Sequence, residues 1–211
     1  PASATRTSAL PAVAALDDAL RKASPMDVIA AALRTVGRDR LALVSSFGTE
    51  SAALLKVMAD VDPAIPVIFL DTGWLFEETL AYRDTLIATL GLKDVRSIQP
   101  SEDALKREDP DRELWFSDPD ACCRIRKVEP LARALAPLSA WINGRKRLQG
   151  GSRAAIPSVW ADRGRPLPAW CADAPEARGG GQVRRDGPGA TVPAASNRWK
   201  WLSVPRSSRS E

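Results

Sequence analysis

Apolar residues recur at helical spacing over residues 8–22 and again over 26–36, with Ser24-Pro25 between them as a break and a helix start. Leu41–Phe47 has a different pattern, a short apolar run ending in small polar residues, and predicts a buried strand. Helical spacing returns over Ser51–Asp60. Ile65–Leu70 then predicts a second buried strand, Phe76–Leu90 a longer amphipathic helix, and Val95–Ile98 a third strand. Ile125–Leu135 predicts another helix and Ala140–Asn143 a last strand. Strands that alternate with helices need crossover connections, and these give a parallel sheet with both faces covered. An α/β layered domain is expected, with its ligand at the carboxyl ends of the strands.

The patterning changes near Pro157. Residues 158–211 contain six Gly, six Pro, four of the seven Trp and only six Leu, Ile, Val or Phe. So little apolar surface cannot offset the entropy of ordering, which predicts a largely disordered tail after a domain over residues 1–157. Of the chain's 30 basic and 26 acidic residues, nine and five fall in the tail, so the net charge of +4 lies there and residues 1–157 balance at 21 of each. Arg and Trp in such a tail could contact phosphates and stack on bases. The cations are scattered and diluted by acids, however, and nucleic acid is not the expected partner.

Other classes are excluded by composition. No apolar run approaches the ~20 residues that span a bilayer, so no membrane role is expected. Ala9–Ala15 is apolar, but Pro11 interrupts it and Asp17-Asp18 ends it, which makes a poor signal peptide. Three cysteines cannot form a disulfide framework, and a reducing cytoplasm is the expected compartment. With no histidine in the sequence, Ser–His and Cys–His pairs and His-ligated metals are excluded.

Three predicted strand ends carry candidate chemistry. Ser45-Ser46-Phe47-Gly48-Thr49-Glu50-Ser51 is a small, hydroxyl-rich turn between a strand and a helix, where backbone N–H groups and a helix N-terminus can grip a phosphate. It lacks the Walker spacing, and an ordinary capped turn would read the same way. Leu70-Asp71-Thr72-Gly73 offers an acceptor for a ribose hydroxyl or an adenine amino group, or is a plain turn. After the last strand, Arg145, Lys146, Arg147 and Arg153 place four cations in nine residues among glycines, which suits a multiply charged anion or a solvated loop.

Together these segments resemble a known family. Ser45–Ser51, Leu70-Asp71-Thr72-Gly73-Trp74-Leu75-Phe76-Glu77-Glu78-Thr79, Cys122-Cys123-Arg124-Ile125-Arg126-Lys127-Val128-Glu129-Pro130-Leu131 and Trp141–Gly150 are similar to the assimilatory sulfonucleotide reductases. The resemblance runs from about Leu41 to Pro157. That family reduces adenylyl sulfate, or its 3′-phosphorylated form, to sulfite. The resemblance implies an adenine-nucleotide α-hydrolase-like fold. It also implies that Ser45, Ser46, Phe47, Gly48, Thr49, Glu50 and Ser51, with Asp71, Thr72 and Gly73, hold the nucleotide. Lys127, Arg145, Arg147 and Arg153 would face the phosphosulfate.

Cys122 and Cys123 are neighbours, which rarely bridge without strain, and no histidine is available to complete a zinc site. They read either as two structural thiols or, by the resemblance, as half the ligands of a [4Fe–4S] cluster in the branch that prefers adenylyl sulfate. In that branch a later Cys-x-x-Cys supplies the other half. The second motif is absent, and so is the Glu-Cys-Gly-Leu-His type segment that carries the family's nucleophile. Cys171, in Pro-Ala-Trp-Cys-Ala-Asp, resembles neither, so no catalytic residue is assigned. A cluster needs four ligands, typically thiolates, and three cysteines do not supply them, so none is expected to assemble on this chain.

In the family's reaction a thiolate attacks the sulfur, AMP departs and thioredoxin releases sulfite, which implies thioredoxin as a partner. Two readings are open. One is a thioredoxin-dependent adenylyl-sulfate reductase by descent, and the other a nucleotide-binding remnant without redox chemistry. The resemblance breaks at about Pro157 without a linker. Residues 158–211 are rich in Ala, Arg, Gly, Pro, Ser and Trp, as out-of-frame reading of a GC-rich gene would give.

Overall fold

The computed structural model describes residues 13–145, 156–161 and 168–171, all within the first of two units, Pro1–Arg178. Helix α1 covers residues 13–20. Ser24 starts α2 (Pro25–Val36): its hydroxyl accepts the Asp27 N–H at 3.2 Å, and Pro25 takes the first turn, where no N–H is needed. A 3₁₀ turn at Arg38–Arg40 leads into β1 (Leu41–Val44). Next come α3 (Thr49–Val61), β2 (Val67–Leu70), α4 (Glu77–Leu90) and β3 (Val95–Ile98). Three short helices succeed them, α5 (Glu102–Glu108), α6 (Leu114–Ser117) and α7 (Pro119–Cys123). A π-helical turn at Arg124–Val128 joins α7 to α8 (Glu129–Leu135), and β4 is Ala140–Asn143.

The strands order as β3-β2-β1-β4-β6-β5, with β5 at Val159–Ala161 and β6 at Pro168–Cys171. All neighbours are parallel except β5, which runs antiparallel to β6 at the edge. Leu43 sits in register with Val67 on one side and Ile142 on the other. Both faces are covered, as the alternation of elements predicts. Leu43, Phe69 and Ile142 point into a cluster with Ile29, Leu55 and Met58 of α2 and α3. Ala42 and Ile68 point the other way, onto Leu135 and Leu138, with Leu131 and Ala134 of α8 beside them. Each fully buried Leu, Ile or Phe contributes about 1.5–3 kcal/mol relative to an exposed one, so the double-sided burial of β1 and β2 anchors the sheet.

Three expectations are corrected. The strand expected to reach Phe47 ends at Val44, because Ser45–Gly48 turns into α3. The helix expected over Ile125–Leu135 begins as a π turn. The boundary expected after Pro157 falls inside the sheet, since β5 and β6 lie beyond it. A count of Leu, Ile, Val and Phe misses this because the anchoring side chain there is Trp170, which is fully buried with the α2–α3 cluster. The remainder of the expected tail, residues 162–167 and 172–211, lies outside the described residues.

Candidate functional site

β1, β2 and β4 are parallel neighbours, so the loops after them open on one edge of the sheet. The chain steps from β1 to β2 on one side and returns to β4 on the other. The strand order therefore reverses at β1, where open α/β sheets take their ligands. All three strand ends are closed by the same local device, a side-chain oxygen accepting the N–H two residues on. Ser45 Oγ accepts from Phe47 N at 3.1 Å, Asp71 Oδ1 from Gly73 N at 3.0 Å, and Asn143 Oδ1 from Arg145 N at 3.2 Å. Such turns release the chain sharply from the strand and free the following N–H groups.

At the first strand end, Ser46 and Ser51 hydroxyls lie 3.2 Å apart, bridging the turn to the first turn of α3. No side chain caps α3, whose first residue follows Gly48, so the positive end of a 13-residue helix faces the crevice. Phe47 has φ +52°, a left-handed conformation that costs a bulky residue energy. Its ring is fully buried against Phe69, so within the segment expected to hold nucleotide it serves as the anchor, and only its backbone faces the loop.

At the second, Asp71 divides its carboxylate: Oδ2 accepts from Gln99 Nε2 at 2.9 Å while Oδ1 holds Gly73. Gly73 has φ +74°, which glycine adopts without strain. The Thr72 carbonyl accepts from Arg126 Nη1 at 3.0 Å. At the third, Gly144 sits close to Leu54: a Cβ there would lie 3.1 Å from Leu54 Cδ2, a tight contact that the leucine would have to relieve. Arg145 is exposed at the turn. Arg147 and Arg153 lie outside the described residues. Lys127 is half-buried on the π turn, next to Arg126 in sequence.

Sequence reasoning passes over four residues here. Arg126 is 3% exposed and pairs with Asp109 at 2.5 Å, itself 5% exposed. The same guanidinium lies 5.0 Å from the centre of the Trp74 ring. Burial works against the Asp109 carboxylate, but hydrogen bonds from Arg126, Leu114 N–H and Glu113 N–H hold it below the usual carboxylate range. Asn143 is buried and its Nδ2 has no hydrogen-bond partner. The available signals are Asn-Gly at a predicted strand end and Arg126 beside Lys127 in the Cys122–Leu131 block.

The cysteine pair ends α7. Burial pushes the Cys122 thiol up, Cys123 and Asp109 add to this, and Arg126 opposes it. That is the setting of a quiet structural thiol. No group of three His, Cys, Asp or Glu suited to a metal occurs among the described residues. A four-iron cluster needs four ligands and the sequence holds three cysteines, so the residues present do not fit one.

A parallel sheet with an acid at one strand end, a helix N-terminus at the middle one and a cation at the third has the architecture of an open α/β protein. The phosphoadenosine phosphosulfate reductase domain matches residues 40–171, and the chain belongs to that family. The match runs past Pro157, where the resemblance is expected to break. The chain is 49% identical over 161 residues to the adenosine 5'-phosphosulfate reductase of Mesorhizobium japonicum, covering 74% of this chain and 63% of that protein. It is 53% identical over 117 residues to the enzyme of the same name from Chelativorans sp., covering 56% and 48%. The phosphoadenosine 5'-phosphosulfate reductase of Gloeobacter violaceus is 40% identical over 158 residues, covering 70% and 64%. The chain thus spans less than two thirds of each of these relatives. The crystal structure of phosphoadenylyl-sulfate reductase from Candida auris, in a phosphate complex, superposes with a TM-score of 0.64 at 23% identity, covering 76% of this chain and 77% of that one. It shares the fold. Among the described residues, no helix is long and apolar enough to cross a membrane.

Proposed function

We propose that this chain binds adenylyl sulfate at the carboxyl ends of β1, β2 and β4, as the nucleotide-holding part of a sulfonucleotide reductase. One observation carries the reading: the three strand ends present complementary chemistry in the order the ligand needs. Asp71 suits the hydroxyls and amino group of the nucleoside and would repel its phosphates. The α3 N-terminus, and Arg145 across β1, suit the anionic end. Gly73 and Gly144 allow close approach of backbone to ligand.

In the complete reaction a cysteine thiolate attacks the sulfur, the sulfur–oxygen bond to AMP breaks, and AMP leaves. Thioredoxin, as the dithiol donor, then resolves the enzyme thiosulfonate, is oxidised to its disulfide and releases sulfite. This chain's part is to bind and orient the nucleotide. The buried, raised Cys122 thiol favours a binding role over nucleophilic attack. The described cysteines, Cys122 and Cys123, are free thiols, which suits a reducing compartment, the cytoplasm.

Titration calorimetry with adenylyl sulfate, AMP and adenosine tests the reading. Binding of the two anionic nucleotides, tighter than adenosine, is expected. Absence of binding to all three, by folded protein, overturns it.

A further inference from the structure

We infer that Arg126 is a positioning residue that clamps the Asp71–Trp74 turn into its nucleotide-binding shape. The inference rests on the nucleotide reading above and adds to it a residue that reading does not use. The Arg126 fork is stretched between two elements: Nη1 donates to the Thr72 carbonyl at 3.0 Å, and Nη2 donates to Asp109 at 2.5 Å. The guanidinium carbon lies over the Trp74 ring, 5.0 Å from its centre, and that of Arg112 lies 5.4 Å from the same centre. Asp109 is held in turn by the Leu114 N–H at 2.9 Å, so the fork joins the β2 turn to the start of α6.

The arrangement is a poor device for stability alone. Burying an ion pair costs desolvation on both sides, and a well-packed apolar pair often does as well. Here Arg126 Nε is also buried and makes no hydrogen bond within distance among the described residues, although the guanidinium lies by the Cys122 thiol. What the fork supplies, and an apolar side chain cannot, is a directional grip on the Thr72 carbonyl. That grip adds a second hold to the turn, beside the Asp71 Oδ1–Gly73 N–H bond at 3.0 Å. Gly73 takes a left-handed φ with no side chain to pack, and Trp74 N–H reaches Thr72 Oγ1 only at a long 3.4 Å. Thr72 itself is 7% exposed, so a freed carbonyl there would need the turn to rotate outward.

The test separates grip from charge. In Arg126→Lys the ammonium can still neutralise Asp109, but it is a compact point charge without the fork that spans both acceptors over the Trp74 ring. The expected result is a thermal midpoint close to that of the parent, with AMP and adenylyl sulfate bound about tenfold more weakly and faster amide exchange at Gly73 and Trp74. Arg126→Met should lose both stability and affinity. Trp74→Leu leaves the ion pair in place and removes the platform, and should weaken AMP several-fold with little change in midpoint. It also keeps the test open if the Lys variant fails to fold. Parent-like AMP affinity in folded Arg126→Lys, or in Trp74→Leu where the Lys variant does not fold, overturns the inference and leaves the nucleotide reading standing. A parent that binds no nucleotide removes the reading and this inference together.

Discussion

Phe47 and Phe69 meet edge to face, ring centres 5.5 Å apart and planes at 89°, and through that contact the Ser45–Ser51 loop is fastened to the middle of the sheet. Phe47 holds a left-handed φ of +52° to make it, so the loop's conformation is maintained by core packing. Arg83 lies 5.3 Å from the centre of the Phe69 ring and adds a cation to the same pair.

Phe47→Ala removes a fully buried ring while keeping the strained backbone, and is expected to cost about 3–5 kcal/mol. Phe47→Gly relieves the strain and should be less damaging than the Ala variant by roughly 1 kcal/mol, the energy of holding an L-residue left-handed. Urea unfolding of the three proteins measures both differences. Equal midpoints for the Ala and Gly variants would remove backbone strain from the account.

Arg145 is the described cation at the β4 end, and its contribution should appear with anionic ligands only. Arg145→Ala is expected to weaken adenylyl sulfate and AMP by roughly 1.5–3 kcal/mol for each charge-assisted hydrogen bond it removes, with adenosine unaffected. Adding Arg147→Ala should weaken the anions further. Calorimetry of the single and double variants against all three ligands checks this, and equal weakening of adenosine would show that the β4 end does not face the anion.

The parts of this site that periodicity reveals are those with strong local patterns. β3 and β4 lie where alternation and apolar runs place them, and the small-residue turns at Ser45 and Asp71 stand at strand ends because a parallel sheet puts its loops there. Arg126 and Asp109 are illegible in the sequence for a physical reason. Buried charges look like surface charges there, and these two are 17 residues apart on segments whose short helices, α5 to α7, have too few turns to show a period. Trp170 escapes notice because its strand is four residues long and flanked by polar and proline-rich sequence.

The Asp109 carboxyl is held below its usual range in the folded protein, so folding favours its charged form. Such a group stabilises the fold fully above the unfolded-state value and loses that contribution as pH falls through the depressed folded value. Stability should therefore decline on the acid side of the ordinary aspartate range. Asp109→Asn should flatten that limb while lowering stability near neutrality by about 3–5 kcal/mol, the cost of stranding one buried charge. Chemical denaturation from neutral to acid pH compares them. An unchanged acid limb in the variant would assign the dependence to other carboxylates.

Iron content is a separate question from nucleotide binding. Cys122 and Cys123 are adjacent on α7, and two thiolates from one turn do not close a four-iron cube. Anaerobically purified protein is expected to be colourless, with iron and sulfide well below one cluster per chain. A brown preparation with four irons per chain would require Cys171 and a ligand from outside this sequence.

Sulfite formation is the last and most exacting test, because it asks whether any thiol here reaches a bound sulfuryl group. Cys122 is buried with its thiol pushed up, which leaves little thiolate at neutral pH. Cys171 closes β6 opposite Asn143, at the carboxyl edge of the parallel strands. Its backbone belongs to a strand laddered between β4 and β5, so it lacks the freedom of a mobile arm. The attack needs a thiolate within about 3–3.5 Å of sulfur and in line with the departing AMP oxygen. The expected outcome is labelled sulfite release from adenylyl sulfate, with thioredoxin and its reductase, at the level of the protein-free reaction. Cys171→Ser runs beside it as the control. Turnover by the parent that vanishes in this variant would make Cys171 the nucleophile, and turnover that survives it would direct attention to Cys123, the half-buried member of the pair.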